Sequence, residues 1–296
     1  MPSSHDLFIK GILSNQTEAI DFFDGSLPES ITKLLQLENL ELTKETFIGK
    51  NHDESRTDLL YKVPLKTGSS VYIYLLFEHK SYYDPKIFTQ LLEYLSKIYN
   101  WQFINQENLT IVIPFVFYHG ERGWDLGETF LDNFPLNSIP EEFLKFIPNF
   151  AIQLLELKSK GKAFQTRNLA LHLYMRMIQI IREIPEEFKI HLKEIYTSLR
   201  EEKNFTKRIE ILRNLLEYLS RARNDAENYS VNEIIQGIEE EYMNFLEKIR
   251  EEGKLEGELN GKLETARKMK AKGFSVSEIQ DITGLSEIEL KLNGIL

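Results

Sequence analysis

Between Thr57 and Tyr118 the chain changes its hydrophobic period twice, and this limits its fold more than any other feature. Thr57 to Leu65 alternates apolar and polar residues, as a half-buried strand does. Val71 to Ser81 is a run of β-branched and aromatic residues. Lys66-Thr67-Gly68-Ser69-Ser70 between them is a turn signal, so the two segments read as a β-hairpin. Asp84-Pro85 then offers a capping residue and a first-turn proline, and Ile87, Leu91, Leu92, Leu95, Ile98 and Tyr99 recur at helical spacing. Leu109 to Tyr118 returns to a buried strand, interrupted by Pro114 and ending in His119-Gly120. Strand, helix and strand within ~45 residues make a βαβ crossover with a parallel pair.

The flanks complete the unit. Leu40 to Ile48 alternates loosely and reads as a further strand. His5 to about Leu37 reads as short helices, with Asn15 or Thr17 as a cap, Gly25 as a terminator and Pro28 at the start of a second helix. The expected N-terminal domain, residues 1–149, is therefore α/β, an α-β-β-β-α-β unit with a mixed sheet, its last stretch, 121–149, loop-like and punctuated by Pro135, Pro140 and Pro148.

From Phe150 onward the pattern is helical, with helices expected over 150–160, 166–183, 186–201, 205–222 and 230–270. This all-α C-terminal half divides into a helical domain at 150–225, a long helix at 226–270 and a small helix–turn–helix-like unit at 271–296. Residues 254–265 repeat a four-residue pattern in which leucines and glycines fall on separate stripes. Each glycine weakens a helix by roughly 1 kcal/mol, and the stripes suit close approach of a partner helix. The long helix reads as an oligomerisation element, so a homodimer is expected. Arg267, Lys268, Lys270 and Lys272 precede the last unit, but the helix that would read DNA begins with Glu287 and Glu289, so packing is favoured over DNA readout there.

Composition excludes several chemistries. The 296 residues contain no cysteine, which removes disulfides, thiolate nucleophiles and zinc–thiolate sites. No apolar run approaches the ~20 residues of a membrane helix, and the N-terminus lacks the basic and apolar regions of a secretory signal. A cytoplasmic protein without a membrane partner is expected. The formal charge of −10 argues against DNA as a partner, because phosphate binding needs positive charge. The objection weakens where the acids surround a metal ion that supplies that charge locally.

The residues that suggest chemistry are Asp58, Glu78, His79 and Lys80. Glu78 and Lys80 share one face of a strand. Symmetric pairing about Gly68 sets Asp58 opposite Glu78, with opposed Cβ atoms ~4.5–5.5 Å apart. The other face, with Leu59, Tyr61 and Val63 against Ile73, Leu75 and Phe77, makes a core, so one face packs and the other is left for chemistry. Two carboxylates this close repel unless a cation lies between them, and hard oxygen ligands suit Mg²⁺ or Mn²⁺, with the His79 carbonyl as a further ligand. A neighbouring lysine can orient a water or stabilise a developing anion. The bland reading is a cross-strand surface ion pair worth ~1 kcal/mol or less.

An Asp followed about twenty residues later by Glu-x-Lys at the end of an apolar strand, and then by a helix and a strand, resembles the PD-(D/E)XK nuclease core. A finer resemblance is to the Rpn family of recombination-promoting nucleases, also called YhgA-like transposases. It rests on His5-Asp6-x-Phe8-x-Lys10, Asp58-Leu59-Leu60-Tyr61, Tyr74-x-Leu76-x-Glu78-His79-x-Ser81, and Val112-Ile113-Pro114 followed by Phe117-Tyr118-His119-Gly120. The resemblance implies a magnesium-dependent DNA endonuclease acting in recombination, with Asp58 and Glu78 as metal ligands, Lys80 as the catalytic lysine, and His5, Asp6 and Gln90 in support. Many relatives carry Gln at the position of Lys80, so the departure here is toward the general nuclease motif. Helix capping by His5-Asp6, a solvated Gln90 and a turn with a packed His119 are the structural alternatives. A non-catalytic nuclease-fold scaffold is the alternative function. A true transposase is disfavoured, because no second acidic triad is evident.

Overall fold

The computed structural model describes residues 4–43, 59–78, 86–120, 123–158, 161–229 and 261–295. Contacts gather these into two units, residues 1–234 and 235–296.

The first unit is built on a five-stranded mixed sheet of spatial order β1-β2-β3-β4-β5. The strands are β1 (Glu41–Leu42), β2 (Leu59–Pro64), β3 (Ser70–Glu78), β4 (Val112–Tyr118) and β5 (Gln153–Glu156). β1, β2 and β3 pair antiparallel, whereas β3, β4 and β5 run parallel. The crossover between β3 and β4 is α4 (Ile87–Ile104), as its apolar spacing predicts. The expected strand Leu40–Ile48 is present as β1, with residues from 44 on outside the described ones.

The hairpin register differs from symmetric pairing about Gly68. Leu59 faces Leu75 and Tyr61 faces Ile73, which centres the loop on Thr67. Gly68 closes the loop: its N–H donates to the Leu65 carbonyl and its φ is +100°. A glycine in this conformation ends a three-residue hairpin loop rather than occupying its middle. The shift of two residues preserves the alternation, so Leu59, Tyr61 and Val63 still share a buried face.

Among the described residues, helices pack on both faces of the sheet. On one side Leu60, Tyr72, Tyr74, Val116 and Tyr118 pack against Ile87, Phe88, Leu91, Tyr94 and Ile98 of α4. On the other, α1 (Ser4–Leu13) and α2 (Gln16–Ser26) cover the strands. Phe22 lies 5.6 Å from Phe115 and 5.7 Å from Phe117, and Phe23 lies 5.1 Å from Tyr61, centroid to centroid. Rings buried to this degree contribute about 2–3 kcal/mol each by area. The expectation of one packed and one chemical face is thus corrected for the described parts of β3 and β4, which are packed on both faces, whereas Lys62 of β2 and both β1 residues are exposed.

Asn15 is the cap of α2, accepting from the Thr17 N–H at 2.9 Å. Gly25 lies inside α2 rather than ending it; a Cβ there would meet the Gln165 carbonyl at 2.7 Å, so glycine serves close approach. The segment 121–149 holds short helical turns, including α5 (Glu141–Leu144).

The helix expected over 150–160 is instead β5. Its Gln-Leu-Leu-Glu segment fits either period, and a free edge of β4 supplies a ladder that an isolated helix turn lacks. β5 joins β4 only from Phe115 onward, so Pro114 sits where the missing N–H breaks no bond on that side.

The helices α6 (Leu169–Ile180) and α8 (Phe205–Ala222) fall within the expected ranges, and α7 (Pro185–Leu199) begins one residue before its own. They do not stand apart from the sheet unit: α8 packs on α1, and α6 on α2.

In the second unit, the helix over 261–271, Val276–Thr283 and Glu287–Leu292 close on Leu263, Ala266, Met269, Ile279, Leu285 and Leu290. Capping boxes Ser275/Glu278 and Ser286/Glu289, with Gly284 left-handed at φ 69°, define the helix–turn–helix. The earlier part of the expected long helix, residues 230–260, lies outside the described residues.

Candidate functional site at the strand ends

Parallel strands deliver their last residues to one edge, and crevices at the carboxyl ends of such strands are the usual ligand sites of α/β sheets. Here β3 ends at Glu78, level with Tyr118 of β4, and β5 ends with Glu156 on the other side of Tyr118. β4 runs directly into His119-Gly120, and His119 is 2% exposed.

α1 brings a second imidazole to this edge. The His5 ring lies 6.4 Å from the His119 ring, edge-on, and its Nδ1 is hydrogen-bonded to the Tyr218 hydroxyl on α8. Tyr218 is held flat against Phe8 at 4.0 Å, and Phe8 abuts Tyr174 of α6 at 5.6 Å. The position of His5 is therefore set by packing of its own helix on α6 and α8.

Burial, with the charge of Arg182 as the second cause, lowers His5 to about 4 and His119 to about 3. Both rings are neutral at pH 7. Burial raises the Tyr218 hydroxyl, so it stays protonated. The charge of Arg182 favours the neutral form of both imidazoles, and Tyr218 feels both Arg182 and the opposing charge of Asp6.

The loop after β4 folds back on the edge. The Trp124 N–H donates to Glu156 Oε1 at 3.0 Å, Trp124 packs edge-on to Tyr118 at 5.5 Å, and its indole N–H donates to the Gly127 carbonyl at 2.7 Å. The other Glu156 oxygen lies 3.2 Å from Lys158 Nζ.

Of the residues singled out in the sequence, His5 and Asp6 lie in the first turn of α1, and Glu78 is the last residue of β3. Gln90 is half-buried in α4, which covers the opposite face of the sheet from α1. Asp58, His79 and Lys80 lie outside the described residues. Among the described residues no three His, Asp or Glu side chains cluster as a metal site. Sequence reasoning missed Tyr218. Tyr218 is 213 positions from its partner His5, a separation that carries no spacing signal.

Comparison with known proteins agrees with the motifs. The profile described as "Putative transposase, YhgA-like" matches residues 3–210. Recombination-promoting nuclease RpnA of Escherichia coli K12 is 28% identical over 297 residues, covering 97% of this chain and 95% of the relative. The inactive recombination-promoting nuclease-like protein RpnE of the same strain is 26% identical over 299 residues, covering 97% and 96%. Recombination-promoting nuclease RpnD of Escherichia coli O157:H7 is 30% identical over 135 residues, 44% of this chain and 51% of the relative. No solved structure matches. With the profile spanning most of its length, the chain belongs to the YhgA-like transposase family, whose members include proteins named recombination-promoting nucleases.

Proposed function

We propose that the protein is a metal-dependent DNA endonuclease with a PD-(D/E)XK-like core, hydrolysing phosphodiester bonds in recombination. One observation carries the reading: Glu78 ends β3 level with Tyr118, immediately before His119, and His119 neighbours His5. Three of the four sequence motifs thus meet at one strand end, in a family whose relatives carry nuclease names.

Asp58, Glu78 and the His79 carbonyl are the proposed metal ligands. They are a hard oxygen set of the kind that takes Mg²⁺ or Mn²⁺. Such an ion, when bound, lowers the pKa of a bound water and offsets phosphate charge in a chain of net charge −10. Lys80 is the proposed group that orients the attacking water and stabilises negative charge. His5 and Asp6 support the site from α1, and Gln90 is proposed as a secondary contact from α4. DNA is the proposed substrate. A homodimer through the C-terminal helices would present two such sites to two strands.

Nicking of supercoiled plasmid with Mg²⁺ tests this. Asp58→Ala, Glu78→Ala and Lys80→Ala should each abolish cleavage and leave the circular dichroism spectrum unchanged. Full metal-dependent cleavage by all three variants would reject the assignment.

A second reading is a non-catalytic scaffold that oligomerises and binds protein partners. RpnE, similar over 97% of this chain and named inactive, favours it. Calorimetric titration with Mn²⁺ separates the two, since a scaffold has no need of the ion.

A further inference from the structure

We infer that Lys158 and Lys162, at the two ends of the turn that follows β5, contact the phosphate backbone of DNA beside the strand-end site. The inference rests on the endonuclease reading above and adds to it the surface that holds the flanking duplex.

β5 delivers this turn to the edge where β3 ends. Glu78 and Glu156 are both level with Tyr118, and the Leu157 N–H donates to the Tyr118 carbonyl at 2.9 Å, so Lys158 is the second residue past the end of β5. Neighbouring strands lie ~4.8 Å apart, which separates β3 from β5 by ~10 Å. One strand of duplex DNA advances ~3.4 Å per phosphate, so a phosphate at this turn is about three nucleotides from one at Glu78. The turn is placed to hold the flank of a substrate rather than the scissile bond.

The turn is pinned from below. Gln179 of α6 is fully buried, and its Nε2 donates to the Lys158 carbonyl at 3.1 Å and to the Lys162 carbonyl at 3.0 Å. The Lys158 carbonyl also accepts from the Gly161 N–H at 3.1 Å. A Cβ on Gly161 would meet the Lys158 side chain at 3.1 Å and its carbonyl at 3.2 Å, so glycine lets the turn close. Phe164, stacked on Phe22 at 5.7 Å, anchors the exit. The Gln179 Oε1 is buried without a hydrogen-bond partner. Buried polar atoms are ordinarily paired, and departures gather where structure serves a site. Here the amide holds both ends of a surface turn while its own oxygen goes unpaired.

The Lys158 ammonium has a defined place. It lies 3.2 Å from Glu156 Oε2, and a Cβ on Gly123 would lie 3.7 Å from it. Glu156 is fixed in turn, because its Oε1 accepts from the Trp124 N–H at 3.0 Å. The ammonium therefore sits beside the loop leaving β4, on a side chain that is 56% exposed. Glu156 faces one side of it, and an ammonium has three protons to donate. Lys162 is exposed and, among the described residues, forms no ion pair. The sequence between the two lysines, Ser159-Lys160-Gly161, contributes no acid. A chain of net charge −10 binds DNA only where cations are gathered locally.

The test uses the full-length protein, a short labelled duplex with Ca²⁺ for binding, and supercoiled plasmid with Mg²⁺ for cleavage. Lys158→Gln combined with Lys162→Gln should reduce the slope of log K against log salt by about 1.8, two phosphate contacts at about 0.9 each. It should raise KM about fivefold or more and leave kcat within about twofold of the wild type, as loss of uniform binding does. Lys33→Gln combined with Lys66→Gln removes the same charge near the hairpin loop, at the far end of β3, and should change neither slope nor KM. Lys158→Gln also uncovers Glu156, so it is repeated with Glu156→Gln, which keeps an oxygen for the Trp124 N–H. The effect on slope should persist in that background; its disappearance would mean that Lys158 only neutralises Glu156, and would overturn the inference. A wild-type slope in the Lys158 and Lys162 variant, or an equal fall in the Lys33 and Lys66 variant, would also overturn it, while metal-dependent cleavage kept the nuclease reading standing. Failure of the wild type to cleave, with the slope difference intact, would reject the nuclease reading and keep the contact. Failure of the wild type to bind the duplex would overturn both.

Discussion

The His5 imidazole and the Tyr218 hydroxyl, 213 positions apart, share a hydrogen bond that ties the first turn of α1 to α8. Tyr218→Phe keeps the stacking on Phe8 and removes only this bond. A bond of this kind is worth about 0.5–1.5 kcal/mol net. The variant should lose about 1 kcal/mol in urea unfolding. If His5 supports the site, plasmid nicking should fall as well, while DNA affinity in Ca²⁺ stays close to the wild type.

The two neutral imidazoles give stability a pH dependence of known sign. His5 titrates at about 4 and His119 at about 3 in the folded chain, both below the ordinary 6.5. Between 6.5 and those values the unfolded chain binds more protons, so stability rises with pH across this window. The contribution is complete above pH 6.5 and is lost as pH falls toward 4. The thermal midpoint should be lower at pH 5 than at pH 7.5, and the ring proton signals of both histidines should stay fixed over that range. A His119 signal titrating near 6.5 would show that the ring is not buried as described.

Gly25 gives a prediction in which two effects oppose. Alanine normally gains about 0.8–1 kcal/mol over glycine inside a helix. At this position its Cβ would lie 2.7 Å from the Gln165 carbonyl and 3.0 Å from Phe164. The first contact is with backbone, which cannot rotate away, and overpacking typically costs 1–3 kcal/mol. Gly25→Ala should therefore be destabilising by about 1 kcal/mol or more in chemical denaturation. A stabilised variant would mean that α2 shifts freely on its neighbours.

Much of this architecture is written in local sequence, and the failures have local causes. The period change between Thr57 and Tyr118 yields the hairpin, α4 and β4, because each element has a long, unambiguous apolar pattern. α8 falls at Phe205–Ala222 for the same reason. β5 was invisible because four residues carry too little pattern and the strand is specified by the edge of β4, a tertiary effect. The register moved because one glycine can serve either the middle or the end of a loop, and only the Gly68 to Leu65 bond decides between them. At the site, His5, Glu78 and His119 were legible from motifs. Tyr218 comes from α8, whose packing on α1 no spacing in the chain announces.

The Arg223 clamp supplies the last prediction. Its guanidinium makes two bonds to Asp225 and two to main-chain carbonyls, and it stacks on Phe188. Lysine retains the charge but cannot reproduce the planar fork, so the two functions of the residue separate. One is stability: hydrogen bonds to charged groups are worth about 1.5–3 kcal/mol, and the side chain is only 9% exposed. Arg223→Lys should cost about 2–3 kcal/mol, read as a lower urea midpoint at unchanged slope. The other is position: with the Ile181 and Glu183 carbonyls released, the link between α6 and α7 is no longer fixed. Amide hydrogen exchange should rise selectively in residues 181–184 and remain low in β3 and β4. A uniform rise in exchange across the sheet would show that Arg223 supports the whole unit rather than this link.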